Sequence, residues 1–155
     1  MIFVINRIQG LTFIEILIVI IIIGILAGTS SPRLRKTFNY LQLNIFSRDL
    51  QNLMNYLQQR SIVEGKIISL NIDNTNKKYW AKIQDSETPL KTYTMPEGIK
   101  IEIEPKREID DTQVIYFSPD GQIDKVTVEI SNLTNQNIIL TTKGVFGGVK
   151  VQTQE

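Results

Sequence analysis

The sequence contains no cysteine and no histidine. The first absence excludes disulfide scaffolds, thiolate nucleophiles and Cys-based zinc sites. The second removes imidazole as a metal ligand or general base. An excess of one charge sign is missing too, since 17 Lys and Arg stand against 16 Asp and Glu. That balance does not provide the basic stripe of a dedicated nucleic-acid binder. A P-loop, a dinucleotide fingerprint and a nucleophile elbow are absent as well. The 155 residues leave room for one membrane-like segment and a single domain of about 120 residues.

What is present begins with the run QGLTFIEILIVIIIIGILAG at residues 9–28. From Leu11 to Gly28 its only polar side chains are Thr12 and Glu15. Extended to Ser31 the run has 21 residues, close to the ~20 a helix needs to cross a bilayer. Eight consecutive Ile, Leu and Val residues, Ile16–Ile23, would make a poor isolated helix in water. In lipid the helix is the local way to satisfy the backbone. A carboxylate inside such a run is costly, so Glu15 requires a reason.

Three readings of the run are open. It can be a secretory signal with its apolar region at 16–26 and a weak cleavage site at Ile25-Leu26-Ala27, although Glu15 abuts that region and only Arg7 precedes it. It can be a plain anchor in which Glu15 snorkels to the interface. Or it can be a prepilin signal in which the acid has a task. Gly10 precedes Leu11, Thr12 follows, Glu15 is the fifth residue after the glycine, and Pro32 lies 21 residues after Leu11. This order resembles the class III signal of type IV pilins and type II secretion pseudopilins. Leucine rather than phenylalanine after the cut, and Gln9 beside the glycine, depart from the commonest pattern.

The resemblance implies that a prepilin peptidase cuts between Gly10 and Leu11 and that Leu11 becomes the methylated N-terminus. It implies that Glu15 is the assembly acid; Pro32, by removing one backbone donor, is expected to bend the helix. It also implies a bacterial inner-membrane subunit with a periplasmic head. Arg33, Arg35 and Lys36 follow the run, and the positive-inside rule alone would put the head in the cytoplasm. Recognition of the leader on the cytoplasmic side argues for the opposite orientation. The implied partners are other pseudopilins or minor pilins through parallel helices, the peptidase, the assembly platform and the bilayer before assembly. The amine freed on Leu11 and the Glu15 carboxylate would lie about one helical turn apart. In a filament of parallel helices, the acid of one subunit can meet the amine of another.

After Pro32 an amphipathic pattern follows: Leu34, Phe38, Leu41 and Ile45, then Phe46, Leu50, Leu53 and Leu57. The spacing predicts a helix with an apolar stripe, continuous from about Leu11 to Glu64, with Gly65 as its stop. From Lys66 onward the period becomes two. Ile68, Leu70 and Ile72 alternate with polar residues, DNTNK turns, and KYWAKI returns as a hairpin. Ile99, Ile101 and Ile103, QVIYF, the turn SPDG, Val126, Val128 and Ile130, NIILTT and KGVFGGVKV complete about seven short strands.

The expected fold class is α+β: one long N-terminal helix, half membrane-like and half amphipathic, packed on antiparallel sheets. The expected organisation is a leader at 1–10, a transmembrane or filament-core helix at 11–31, a stem at 32–65 and a β-rich head at 66–155. The order QQRSIVEGKIISLNID, KKYWA, VIYFSPDGQID, IILTTKGVFGGVKV is similar to the GspH/FimT group of minor pseudopilins and minor pilins. The resemblance implies a non-enzymatic filament subunit near the tip of a type II secretion pseudopilus. The alternatives are a minor pilin of a type IV pilus and an anchored or secreted periplasmic binding domain.

No cofactor or metal is expected. Asp120 and Asp124 flank Gly121 without EF-hand spacing, and DNTN at 73–76 reads as an Asx-rich turn. Glu108, Asp110 and Asp111 lie in a polar loop without the apolar context that acid–base catalysis needs. Gly144, Gly147 and Gly148 lack the strand–helix context of a phosphate cradle. Tyr79, Trp80 and Phe146 read as core or sheet residues. Lys143 and Lys150 near the acidic end at Glu155 do not form a phosphate-binding cluster.

Overall fold

Helix α1 occupies Phe13–Glu64, and both of its ends follow from local chemistry. Thr12 precedes it as N-cap, with Glu15 three residues on, which is the capping-box spacing. At the other end Gly65 adopts a φ of 63°, and the Lys66 N–H bonds the Ser61 carbonyl at 3.2 Å, a Schellman closure. The computed structural model describes residues 12–109, 111–142 and 149–153, with side chains described for all of these except 27–36, 108 and 150–153. Two compact units divide the chain, 1–37 and 38–155. Among the described residues the first is helical, and the second holds the rest of α1 and every strand.

Among the described residues nine strands follow: β1 (Ile68–Asp73), β2 (Lys78–Ile83), β3 (Lys91–Thr94), β4 (Lys100–Glu104), β5 (Glu108–Ile109), β6 (Thr112–Phe117), β7 (Thr127–Ser131), β8 (Asn137–Thr142) and β9 (Val149–Thr153). They form a five-stranded sheet in the order β3-β2-β1-β6-β5 and a four-stranded sheet in the order β4-β7-β8-β9. All pairings are antiparallel. The expected strands are present. Strands β3 and β5 are additions. KTYT at β3 has no apolar alternation and β5 spans two residues, so neither carries a period-two signal.

One core joins both sheets to the helix. Leu43, Phe46, Leu50, Met54 and Leu57 of α1 meet Ile68, Leu70 and Ile72 of β1, Ile115 and Phe117 of β6, and Ile101, Ile103, Val128, Ile130, Ile138 and Leu140 of the second sheet. Burying each such side chain contributes about 1.5–3 kcal/mol. The stripe Phe38, Leu41, Ile45 does not belong to this core. All three side chains are exposed, which corrects the expectation that both halves of the amphipathic pattern pack inward. The buried face runs instead through Leu43, Ser47, Leu50, Met54, Gln58 and Ser61, mixing polar and apolar residues at helical spacing.

Those polar residues fasten the helix to the sheets. Gln51 Nε2 donates to the Val149 carbonyl at 2.7 Å, Gln58 Nε2 to the Gly121 carbonyl at 2.7 Å, and the Ser61 hydroxyl reaches the Ser118 carbonyl at 3.0 Å. Two of these ties hold the SPDG turn, where Gly121 has a φ of 82°. Asn74 performs a similar task between sheets. Its amide donates to the Ile101 carbonyl at 2.6 Å and its oxygen accepts the Ile101 N–H at 3.0 Å. The open edge of β4 is thereby paired by a side chain, which removes a template for another strand.

Candidate assembly site on the long helix

The first turn of α1 places Glu15. The Thr12 hydroxyl accepts the Glu15 N–H at 3.3 Å, and the Thr12 carbonyl accepts the N–H groups of Glu15 at 3.1 Å and Ile16 at 3.3 Å. The carboxylate therefore sits at the third helical position, where the macrodipole favours negative charge. It is exposed. Gly10 and Leu11, the expected cleavage and methylation positions, lie outside the described residues. The helix assignment runs through Pro32, but the side chain expected to bend it is outside the description.

From Ile16 to Leu26 the helix offers only apolar surface. Each large side chain from Phe13 to Leu26 is 40–82% exposed. A soluble monomer rarely leaves such a continuous surface to water. Lipid, or other helices of the same character, must cover it. Among the described residues no helix is long and apolar enough to cross a membrane, so the transmembrane helix expected over 11–31 is not shown. The reason is length: the described apolar run from Phe13 to Leu26 would rise about 20 Å, short of a ~30 Å hydrocarbon core. The side chains that would continue it are outside the description.

Within the second unit, exposed Phe38, Leu41 and Ile45 border a groove of about 270 Å³ floored by Phe46, Tyr79 and Pro96, with Asp49 at its edge. Tyr79 stacks on Tyr93 at 5.0 Å between centroids and meets Phe46 edge-on at 5.8 Å. Burial, reinforced by Tyr93 and Asp49, pushes the Tyr79 phenol up to about 12. A raised folded-state pKa means that stability is fully present below the unfolded tyrosine value of about 10 and is lost as pH rises from there towards 12. Chemical denaturation across this window is expected to show that fall, and Tyr79→Phe is expected to flatten it. An unchanged slope in Tyr79→Phe would refute the assignment.

The acids weighed as metal ligands are engaged by their own turns. Asp73 accepts the Asn76 N–H at 2.9 Å and the Asn76 amide at 2.6 Å, and these bonds lower its pKa. Asp120 accepts the Gln122 N–H at 3.1 Å. Asp124 accepts the Tyr116 N–H and the Arg107 guanidinium, both at 3.0 Å. Among the described residues no group of three or more acids could hold a metal ion. Asp110, Lys143, Gly144, Phe146, Gly147, Gly148 and Glu155 lie outside the described residues, as do the side chains of Glu108 and Lys150.

One long helix and two antiparallel sheets give the chain an α+β fold of the pilin-like kind. Residues 5–31 match the prokaryotic N-terminal methylation motif. The fold is shared with the minor pseudopilin EpsH from the type 2 secretion system of Vibrio cholerae, at 13% identity and a TM-score of 0.55, covering 72% of this chain and 97% of that one. It is shared equally with the type IV minor pilin FimU of Pseudomonas aeruginosa, at 12% identity and a TM-score of 0.54, covering 80% and 93%. No curated protein matches the chain in sequence.

Proposed function

We propose that this chain is a structural, non-enzymatic filament subunit: a minor pseudopilin of a type II secretion system, at or near the tip, that helps start the filament. The observation that carries the reading is the methylation motif over residues 5–31 on a helix whose apolar side chains are exposed from Phe13 to Leu26. Before assembly that surface is covered by the inner membrane, with the head periplasmic. After assembly the helices of other pseudopilins or minor pilins cover it. The prepilin peptidase cuts between Gly10 and Leu11, methylates Leu11 and leaves an amine for Glu15 to pair with. The assembly platform then moves the subunit from lipid to filament.

Likeness to FimU supports a second reading, a minor pilin of a type IV pilus with the same helix chemistry. N-terminal mass spectrometry of the membrane-extracted protein tests what the two share. A methylated Leu11 is expected; an intact Met1 or a start near Gly28 refutes both. Deletion of the gene then separates them. Loss of secretion with normal piliation supports the pseudopilin, and loss of pili with normal secretion refutes it.

A further inference from the structure

The two faces of the five-stranded sheet differ in kind. On β2, Tyr79 and Ala81 point into the core, while Lys78, Trp80 and Lys82 point the other way. Trp80 is the only tryptophan of the chain, and it stands half-buried on that outer face. Asn71 of β1 lies opposite it on one side and Thr92 of β3 on the other. Ser69 is opposite both Lys82 and Tyr116. Val114 of β6, opposite Asn71, is only 3% exposed yet lies outside the core cluster. The outer face therefore has a small apolar floor of its own, surrounded by hydroxyl, amide and ammonium groups. A tryptophan needed only for packing would sit more economically on the inner face.

We propose that this outer face is a binding platform for a polysaccharide that carries carboxylate groups. The indole offers a flat apolar surface for the C–H face of a sugar ring, and such a ring is wetted at its rim, as the tryptophan's surroundings are. The Asn71 amide donates to the Ser69 hydroxyl at 3.0 Å, and that hydroxyl donates to the Lys82 carbonyl at 3.3 Å, so the Asn71 side-chain oxygen and the Thr92 hydroxyl, on strands ~5 Å apart, are the groups that meet sugar hydroxyls. Lys78 and Lys82 flank Trp80 on its own strand; Lys78 has Asp73 opposite it, whereas Lys82 has Ser69 opposite it and supplies the charge for carboxylates.

A nucleic acid fits less well. Stacking of successive bases uses several open rings, and the Tyr116 ring is already covered by Arg107, whose guanidinium carbon lies 5.9 Å from its centroid. The charge is also too sparse. Lys78, Lys82 and Arg107 are offset by Asp73, opposite Lys78, and by Asp124, paired with Arg107. A phosphate at every residue demands more positive charge than this. A polymer rich in hydroxyls with intermittent carboxylates does not.

The platform is independent of the filament reading, which rests on the helix. Calorimetric titration of the full chain in detergent micelles tests it, with polygalacturonate, dextran and oligothymidylate as probes and Trp80 emission recorded alongside. Polygalacturonate is expected to bind saturably, more tightly than the other two, and to weaken with added salt. Trp80→Ala is expected to weaken it roughly tenfold, and Lys82→Gln roughly fivefold. Should Trp80→Ala not fold, the Lys78→Gln/Lys82→Gln pair, at one exposed and one half-buried position, gives the same reading. No saturable binding, tighter binding of oligothymidylate, equal binding of dextran, or unchanged affinity in the folded variants each overturns the proposal. Filament incorporation is expected to be unaffected by these variants, so a failed platform leaves the assembly reading standing.

Discussion

A Glu15→Val chain is expected to be cleaved and methylated at Leu11 and yet to be nearly absent from filaments. The reason lies in what the first turn of α1 already satisfies. Thr12 caps the Glu15 N–H through its own hydroxyl, so helix initiation does not need the carboxylate. The acid is exposed at the third helical position, followed by a side of the molecule that is apolar from Ile16 to Leu26. Once such helices cover one another, the carboxylate is removed from water. Its charge is then tolerable only beside a cation, and under the proposed function that cation is the amine that cleavage after Gly10 would free on Leu11 of a neighbouring subunit. Removing one partner of a buried pair costs about 3–5 kcal/mol, which is a hundredfold or more in an association constant at the lower end of that range. Glu15→Gln separates charge from capping. An amide can serve the capping-box position as well as a carboxylate, but it cannot neutralise an ammonium. Glu15→Gln is therefore expected to fail in assembly as Glu15→Val does, measured as subunit in sheared filaments against subunit in membranes. Normal incorporation of Glu15→Gln would remove the pairing argument and leave Glu15 a helix-capping residue.

Legibility in the sequence follows physical scale. Patterns that repeat over many residues were readable: the apolar run, the stop at Gly65 and the alternation of β1, β2, β4, β6, β7 and β8 all appear in the fold. Elements with no repeat to read, β3 and β5, were not. The orientation of the stem was half readable. Phe46, Leu50 and Leu57 are buried as their spacing implies, whereas Phe38, Leu41 and Ile45 are not, because periodicity marks an apolar face without naming what covers it. Gln51, Gln58 and Ser61 were hidden for the opposite reason. A polar residue on a helix reads as solvated, and only the sheet shows that each has a carbonyl to bond. Their one sequence signal is that Ser47, Gln51, Gln58 and Ser61 recur at helical spacing on the side of Leu50, Met54 and Leu57. Of the candidate site, the sequence marks Glu15 by its distance to Gly10, and it marks Thr12 by T-x-x-E before an apolar run, a capping signature.

The same substitution at two points of the stem is expected to have opposite consequences. Leu57→Ala removes a side chain that is 1% exposed, in the core shared by helix and both sheets. The lost transfer energy and the cavity together cost about 3 kcal/mol, within the ~2–5 kcal/mol seen for such truncations. For a head of this size that lowers the melting temperature by roughly 10 °C or more, measurable by circular dichroism on the full chain in detergent. Leu41→Ala removes the same atoms from a side chain that is 54% exposed, and is expected to shift stability by no more than about 0.5 kcal/mol. Its cost should appear elsewhere. Phe38, Leu41 and Ile45 border an open groove over Phe46 and Tyr79, an apolar surface that the subunit's own head leaves uncovered. If neighbouring subunits cover it, Leu41→Ala retains its melting temperature and loses incorporation into filaments, while Leu57→Ala that still folds at low temperature retains incorporation. Equal destabilisation by the two variants would mean that Leu41 packs on its own head. Normal assembly of Leu41→Ala would confine the subunit contacts to the apolar run that begins at Phe13.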